Sequence, residues 1–158
     1  MSKPTARNPT VSVSGYETSL VRCAVAILLV VVGIAWIAVY TNVAMERALF
    51  EHKLLGGSED DPIPWMSNLY KWNYLIGFGL AFLGLIIGAH PKTPLGRGRG
   101  VVVGMLGCFL AGLIWIVVYY FVAQSDVQIP VMDQLNQLNL VVGVSFMAVG
   151  FTFATKWE

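Results

Sequence analysis

Residues able to ionise, attack or ligate are few in this sequence, and those present lack usable company. The two histidines, His52 and His90, stand alone. Neither has a nearby nucleophile or a metal-ligand partner at helical spacing, as catalysis or metal binding would require. Each reads as a surface or interface residue. Cys23 and Cys108 fall inside apolar runs, where a thiol behaves as a small hydrophobe, and there is no CxxC motif or disulfide framework. The glycine-rich GRGRG at 96–100 invites comparison with phosphate-binding loops, but a dinucleotide fingerprint needs a strand before it and a helix after it in a βαβ unit. Here it lies between two apolar runs, and it reads as a flexible cytoplasmic linker that holds Arg97 and Arg99 near anionic headgroups. The expectation is a protein with no catalytic residues, cofactor or metal, not an enzyme, and with neither a nucleic acid nor a small-molecule substrate as partner.

The surrounding elements explain this poverty. Of 158 residues, 56% are apolar and 12% charged, too little polar material to coat a soluble globule. Four charge-free runs, residues 23–43, 72–89, 101–123 and 137–155, approach the roughly 20 residues that cross a hydrocarbon core of about 30 Å. The first is too long and too far from the start for a signal peptide. The second is the shortest, and the amphipathic stretch 65–71 is expected to continue its helix into the headgroup layer. Residues 1–16, rich in Ser, Thr, Pro and Gly, read as a disordered tail.

Charge sorts the connections. Lys3, Arg7 and Arg22 precede the first run, and Lys92, Arg97 and Arg99 follow the second without an intervening acid. Lys and Arg are retained on the cytoplasmic side, so both termini are expected inside. The remaining connections, with Glu46, Glu51, Glu59, Asp60 and Asp61 in one and Asp126 and Asp133 in the other, are expected outside. Acids there offset Arg47, Lys53 and Lys71.

An internal repeat organises the chain. Gly33, Trp36 and Tyr40 return at the same spacing as Gly112, Trp115 and Tyr119. Ile63, Pro64, Met66, Leu69, Asn73, Gly77 and Gly84 return as Ile129, Pro130, Met132, Leu135, Asn139, Gly143 and Gly150. Only the loop between these blocks differs, the first copy carrying an insertion around GGSEDDP. A unit of two spans brings the chain back to the side it left, so both copies share one orientation, unlike the inverted repeats of alternating-access transporters. The expected fold is an all-α integral membrane protein of four transmembrane helices in two tandem same-orientation hairpins. Its parts are a cytoplasmic tail 1–20, a first hairpin 21–91, a linker 92–100 and a second hairpin 101–158.

The spans contain no Asp, Glu, Lys, Arg or His, which argues against a proton or substrate pathway. They do carry small residues in stripes: Gly77, Ala81, Gly84 and Gly88, and again Gly100, Gly104, Gly107 and Ala111. Such stripes let helix backbones approach closely in lipid, where packing drives association. They suit either closure of the hairpins or docking of a partner span. Asn73 and Asn139 occupy equivalent points, where each amide could bond a neighbouring helix for about 1 kcal/mol. Trp36, Tyr40, Trp115 and Tyr119 are expected in an interfacial aromatic belt.

These blocks resemble CrgA, a family of small bacterial cell-division membrane proteins with two spans and both ends in the cytoplasm. The residues that carry the resemblance are Gly33, Trp36, Pro64, Trp65, Met66, Trp72, Asn73, Tyr74 and Gly84 in the first copy. In the second they are Gly112, Trp115, Asn139, Gly143, Gly150 and the closing Thr155, Lys156 and Trp157. This chain departs in being a fused pair, with Leu138 where the first copy has Trp72. The resemblance implies a non-enzymatic adaptor in the bacterial plasma membrane, enriched at the septum. Its implied partners are the lipid bilayer, division and cell-wall synthesis membrane proteins, and the FtsZ system. The competing expectation is an accessory transmembrane subunit of a respiratory or transport complex.

Overall fold

The computed structural model describes residues 18–45 and 63–156. The tail through residue 17, the insertion with His52 and the acids from Glu46 to Asp61, and Trp157 lie outside the described residues. Among those described, all regular structure is helical. Helix α1 is Leu20–Val39, continued by a π-helical turn Tyr40–Ala44; α2 is Pro64–Leu69 and α3 Trp72–Gly88. Then come α4, Arg99–Ala123, α5, Pro130–Leu135, and α6, Leu138–Ala154. Two helical stretches, Leu20–Ala44 and Arg99–Ala123, are long and apolar enough to cross a membrane, whereas α3 and α6 have 17 residues each.

Local chemistry sets the boundaries. Ser19 caps α1, its Oγ accepting from Arg22 N at 3.4 Å, which satisfies one of the donors a helix start leaves open. Pro64 and Pro130 open α2 and α5, at the position where a missing N–H costs nothing. The expected continuation of the second span through 65–71 is corrected. Tyr70 has φ 44°, and its counterpart Asn136 has φ 48°, so the helix breaks before α3 and again before α6. A non-glycine residue in this region breaks the α-helical run, and both copies make the break at the same place.

The linker is likewise not the loose segment expected. Thr93, buried, donates from Oγ1 to Gly88 O at 2.5 Å and His90 O at 2.8 Å, while Gly96 N donates to that same Oγ1 at 3.2 Å. Ser19 N donates to Lys92 O at 3.0 Å, and Arg97 Nη2 to Thr18 Oγ1 at 2.5 Å. Residues 88–97 therefore form a hydrogen-bonded series of turns tied to the start of α1. Gly98, at φ 50°, then leads into α4, a conformation glycine adopts without steric cost.

Helix α1 packs along α3, and α4 along α6. The two pairs meet through α3 and α6. Lys71, Tyr74 and Leu75 share a cleft with Leu138 and Val141 at one end, while His90 shares another with Thr155 and Lys156 at the other. Helices α3 and α6 consequently run in the same direction. Two buried clusters form the core, one around Tyr40, Ala44, Met66, Tyr74, Leu135 and Val142, the other around Ala89, Val101, Cys108, Val149 and Phe153. The outward surface stays apolar: Ile27, Leu28, Val31 and Ile34 on α1, and Leu106, Leu110, Leu113 and Ile114 on α4, are all exposed. Helices with an apolar face outside as well as inside belong in an apolar solvent.

Candidate functional site

The candidate site is the set of small, amide and aromatic residues that the repeat places twice. At each hairpin crossing two glycines meet. A Cβ on Gly77 would lie 3.0 Å from Gly33 O, and one on Gly143 would lie 3.0 Å from Gly112 O. In the reverse direction a Cβ on Gly33 would strike Gly77 O and approach Ala81 N to 2.8 Å, and one on Gly112 would strike Gly143 O. Ile37 and Ile116 occupy the matching space beside Gly77 and Gly143. This is backbone-to-backbone approach of the kind that only glycine permits.

Of the first stripe, Gly77, Ala81 and Gly84 face α1, Gly84 so closely that a Cβ would sit 2.6 Å from Ala26 O. Gly88 is buried, yet a Cβ there would meet nothing within 4 Å. The second stripe divides. Gly104 receives the ring of Phe153 so closely that a Cβ on the glycine would lie 2.5 Å from both Cδ1 and Cε1. Gly107 and Ala111 are exposed, with open space around Gly107. The packed face of α4 runs instead through Val101, Gly104, Cys108 and Gly112, a spacing of about one turn. Sequence reasoning left Cys108 out of this stripe, although its place four residues from both Gly104 and Gly112 was the signal.

Asn73 and Asn139 are wholly buried. Asn73 Nδ2 donates to Met66 O at 2.8 Å and Tyr70 O at 2.9 Å; Asn139 Nδ2 donates to Met132 O and Asn136 O, both at 2.7 Å. Each amide thus pins the short helix and the positive-φ break to the long helix that follows, rather than reaching across to a packed span. Both Oδ1 atoms are buried without a partner among the described residues.

The aromatic residues separate by copy. Tyr40, expected at a lipid boundary, is instead fully buried, edge-on to Tyr74 at 5.2 Å, with its hydroxyl 3.3 Å from Gln134 Oε1 in the other copy. The π-helical turn that begins at Tyr40 adds a residue to the turn and rotates the helix face. Tyr119 is half-buried, its ring 5.5 Å from Tyr120. Trp36 packs on Trp65 at 5.4 Å, and Trp115 on Phe78 at 5.5 Å; both indole nitrogens are buried without a partner among the described residues. Among the described residues, no three His, Cys, Asp or Glu side chains converge to hold a metal.

Twice over, then, the chain builds one small helical unit whose invariants are a glycine crossing, a proline-led short helix and a buried amide pin. That defines a tandem-repeat, apolar all-helical protein. The family model described as "Cell division protein CrgA" matches it twice, over residues 1–92 and 89–158, and the chain belongs to that family. One relative, the cell division protein CrgA of Streptomyces avermitilis, is 44% identical over 67 residues, 42% of this chain and 75% of the relative. Another, from Corynebacterium aurimucosum, is 34% identical over 75 residues, 44% of this chain and 79% of its own. No solved structure matches. The family supports a role in cell division, and the apolar helices accord with a membrane location.

Proposed function

We propose that this chain is a non-enzymatic membrane adaptor of the bacterial division machinery, joining septum formation to septal peptidoglycan synthesis. It crosses the plasma membrane four times as two same-sense hairpins, 21–91 and 101–158. The tail 1–20 and the linker 92–100 are cytoplasmic, as are both termini. Helices of 17 residues stand at the lower end of the roughly 17–25 that span a bilayer, and the distribution of Lys and Arg favours this orientation.

The observation that carries the adaptor reading is the leftover of the small-residue inventory. Gly77, Ala81 and Gly84 are consumed within the first hairpin, whereas Gly107 and Ala111 present a small, unfilled face on α4. A partner span of a division or cell-wall synthesis protein docks there by close packing.

A fluorescent fusion in the native cell should concentrate at the septum, and co-purification should recover division proteins. Gly107→Leu should lose both while the protein inserts and melts normally, whereas Gly84→Leu should disrupt the hairpin itself. Uniform envelope fluorescence, with a respiratory or transport complex as the stoichiometric companion, would sink this reading. Carboxyl-terminal fusions test the topology: a fluorescent reporter should be active and alkaline phosphatase silent.

A further inference from the structure

One feature of the fold is left over from helix packing. Between the start of α1, the end of α3 and the end of α6 lies a cleft of about 820 Å³, lined by apolar Val21, Val25, Ile86 and Phe151 and rimmed by Arg22, His90 and Lys156. Its size falls within the roughly 300–1,000 Å³ usual for small-molecule sites.

The repeat supplies an internal control. In the second copy the positions of Arg22, Val25 and Ile87 are held by Val101, Gly104 and Phe153. There Phe153 fills the hollow at Gly104, and Val101 is 1% exposed. The second hairpin is therefore packed shut at this end with apolar side chains, while the matching end of the first stays open towards α6 of the second, which adds a third wall and Lys156.

Among the described residues, the charges at the open copy are all basic. Arg22 Nη1 lies 2.8 Å from His90 Nδ1 and also meets Nε2, and Lys92 N donates to Nδ1 at 3.1 Å. Partial desolvation, and after it the charges of Arg22, Lys92 and Lys156, hold the His90 imidazole below its ordinary range. No acidic side chain is among the described residues lining this cleft or acting on His90.

We infer that this cleft binds one anionic phospholipid, its headgroup phosphate held by Arg22, His90 and Lys156 and an acyl chain lying along Val21, Val25, Ile86 and Phe151. Basic pockets between membrane helices take anionic headgroups in this way, and apolar walls running from the charged rim along α1 and α3 suit a tail rather than a free ion. The inference rests on the membrane-embedded reading above, though not on which side the termini face.

The test uses the full chain purified in detergent, offered phosphatidylglycerol or phosphatidylcholine and read by native mass spectrometry. One phosphatidylglycerol should be retained per chain, with phosphatidylcholine retained far less. Arg22→Gln should cut retention about fivefold and the Arg22→Gln/Lys156→Gln pair roughly 25-fold, whereas Arg22→Lys, which keeps the charge, should retain most of it. The melting temperature of each variant shows whether it is folded. Equal retention of both lipids, or of phosphatidylglycerol by the folded double variant, would overturn the site. Inorganic phosphate that displaces the lipid at equal concentration would do so too, since that marks a free-anion site. Retention as expected in a chain whose carboxyl-terminal fusions report an outside terminus would overturn the topology and leave the lipid site standing in the other leaflet.

Discussion

The first hairpin is closed by small residues laid against small residues; the second is closed by a knob in a hole. They begin alike at Gly33 with Gly77 and Gly112 with Gly143, where the contacts a Cβ would make from Gly77 and Gly143 agree at 3.0 Å. They then diverge. In the first hairpin the backbones stay close, and a Cβ on Gly84 would lie 2.6 Å from Ala26 O; in the second, one on Gly150 would lie 3.3 Å from the equivalent Met105 O. The extra separation is taken up by Phe153 entering Gly104. A duplicated backbone plan thus tolerates two ways of filling its lower half, provided the glycine crossing and the amide pin are kept.

Substitutions at the shared crossing should cost most. Gly33→Ala and Gly112→Ala each force a Cβ onto a carbonyl oxygen, and about 2 kcal/mol is expected from such overpacking. Gly33→Ala should be the worse of the two, because its second obstacle is the backbone nitrogen of Ala81, whereas that of Gly112 is the movable side chain of Met147. Thermal unfolding in detergent reads this directly; a change below about 0.5 kcal/mol in both would mean that the crossing tolerates a methyl.

The amide pins should come next and should be equal. Asn73→Leu and Asn139→Leu each remove two hydrogen bonds, one buried and one part-buried, for about 1–2 kcal/mol per variant. Unequal losses would show that one copy depends less on its pin. A further contrast should separate the lower halves: Gly84→Ala, whose Cβ would also meet a carbonyl oxygen, costs about 1–2 kcal/mol, and Gly150→Ala less than about 0.5 kcal/mol. Equal melting shifts would erase the difference between the two closures. The smallest effect concerns the tyrosines. Tyr40→Phe loses the bond to Gln134, about 0.5–1 kcal/mol, while Tyr119→Phe, at a half-buried site, should leave the melting temperature unchanged.

The duplication was legible because the repeated residues are those a backbone needs for steric reasons. Glycine marks a close crossing, proline a helix start and asparagine a pin, and these constraints recur wherever the unit recurs. The breaks were not legible from Tyr70, a residue type that rarely takes a positive φ, and Asn136, a type that tolerates one, was masked by the helical pattern around it. Nor was the burial of Tyr40 read, although it continues the seven-residue spacing of the buried Ala26 and Gly33, because an aromatic residue near a span's end is expected at the lipid boundary. The turns at 88–97 hid behind a glycine-rich composition that ordinarily reads as a loose linker, yet one buried threonine hydroxyl ties them together.

By itself the sequence determined that an apolar helical unit occurs twice and which residues each unit repeats, since hydropathy and residue spacing are read locally. Only the tertiary structure decided that the packed face of α4 runs through Gly104, Cys108 and Gly112 rather than Gly107 and Ala111, and where an open cationic cleft remains. Those outcomes depend on side-chain volumes at positions far apart in the chain, Val25 and Ile87 against Gly104 and Phe153, which come into contact only when the helices are laid together.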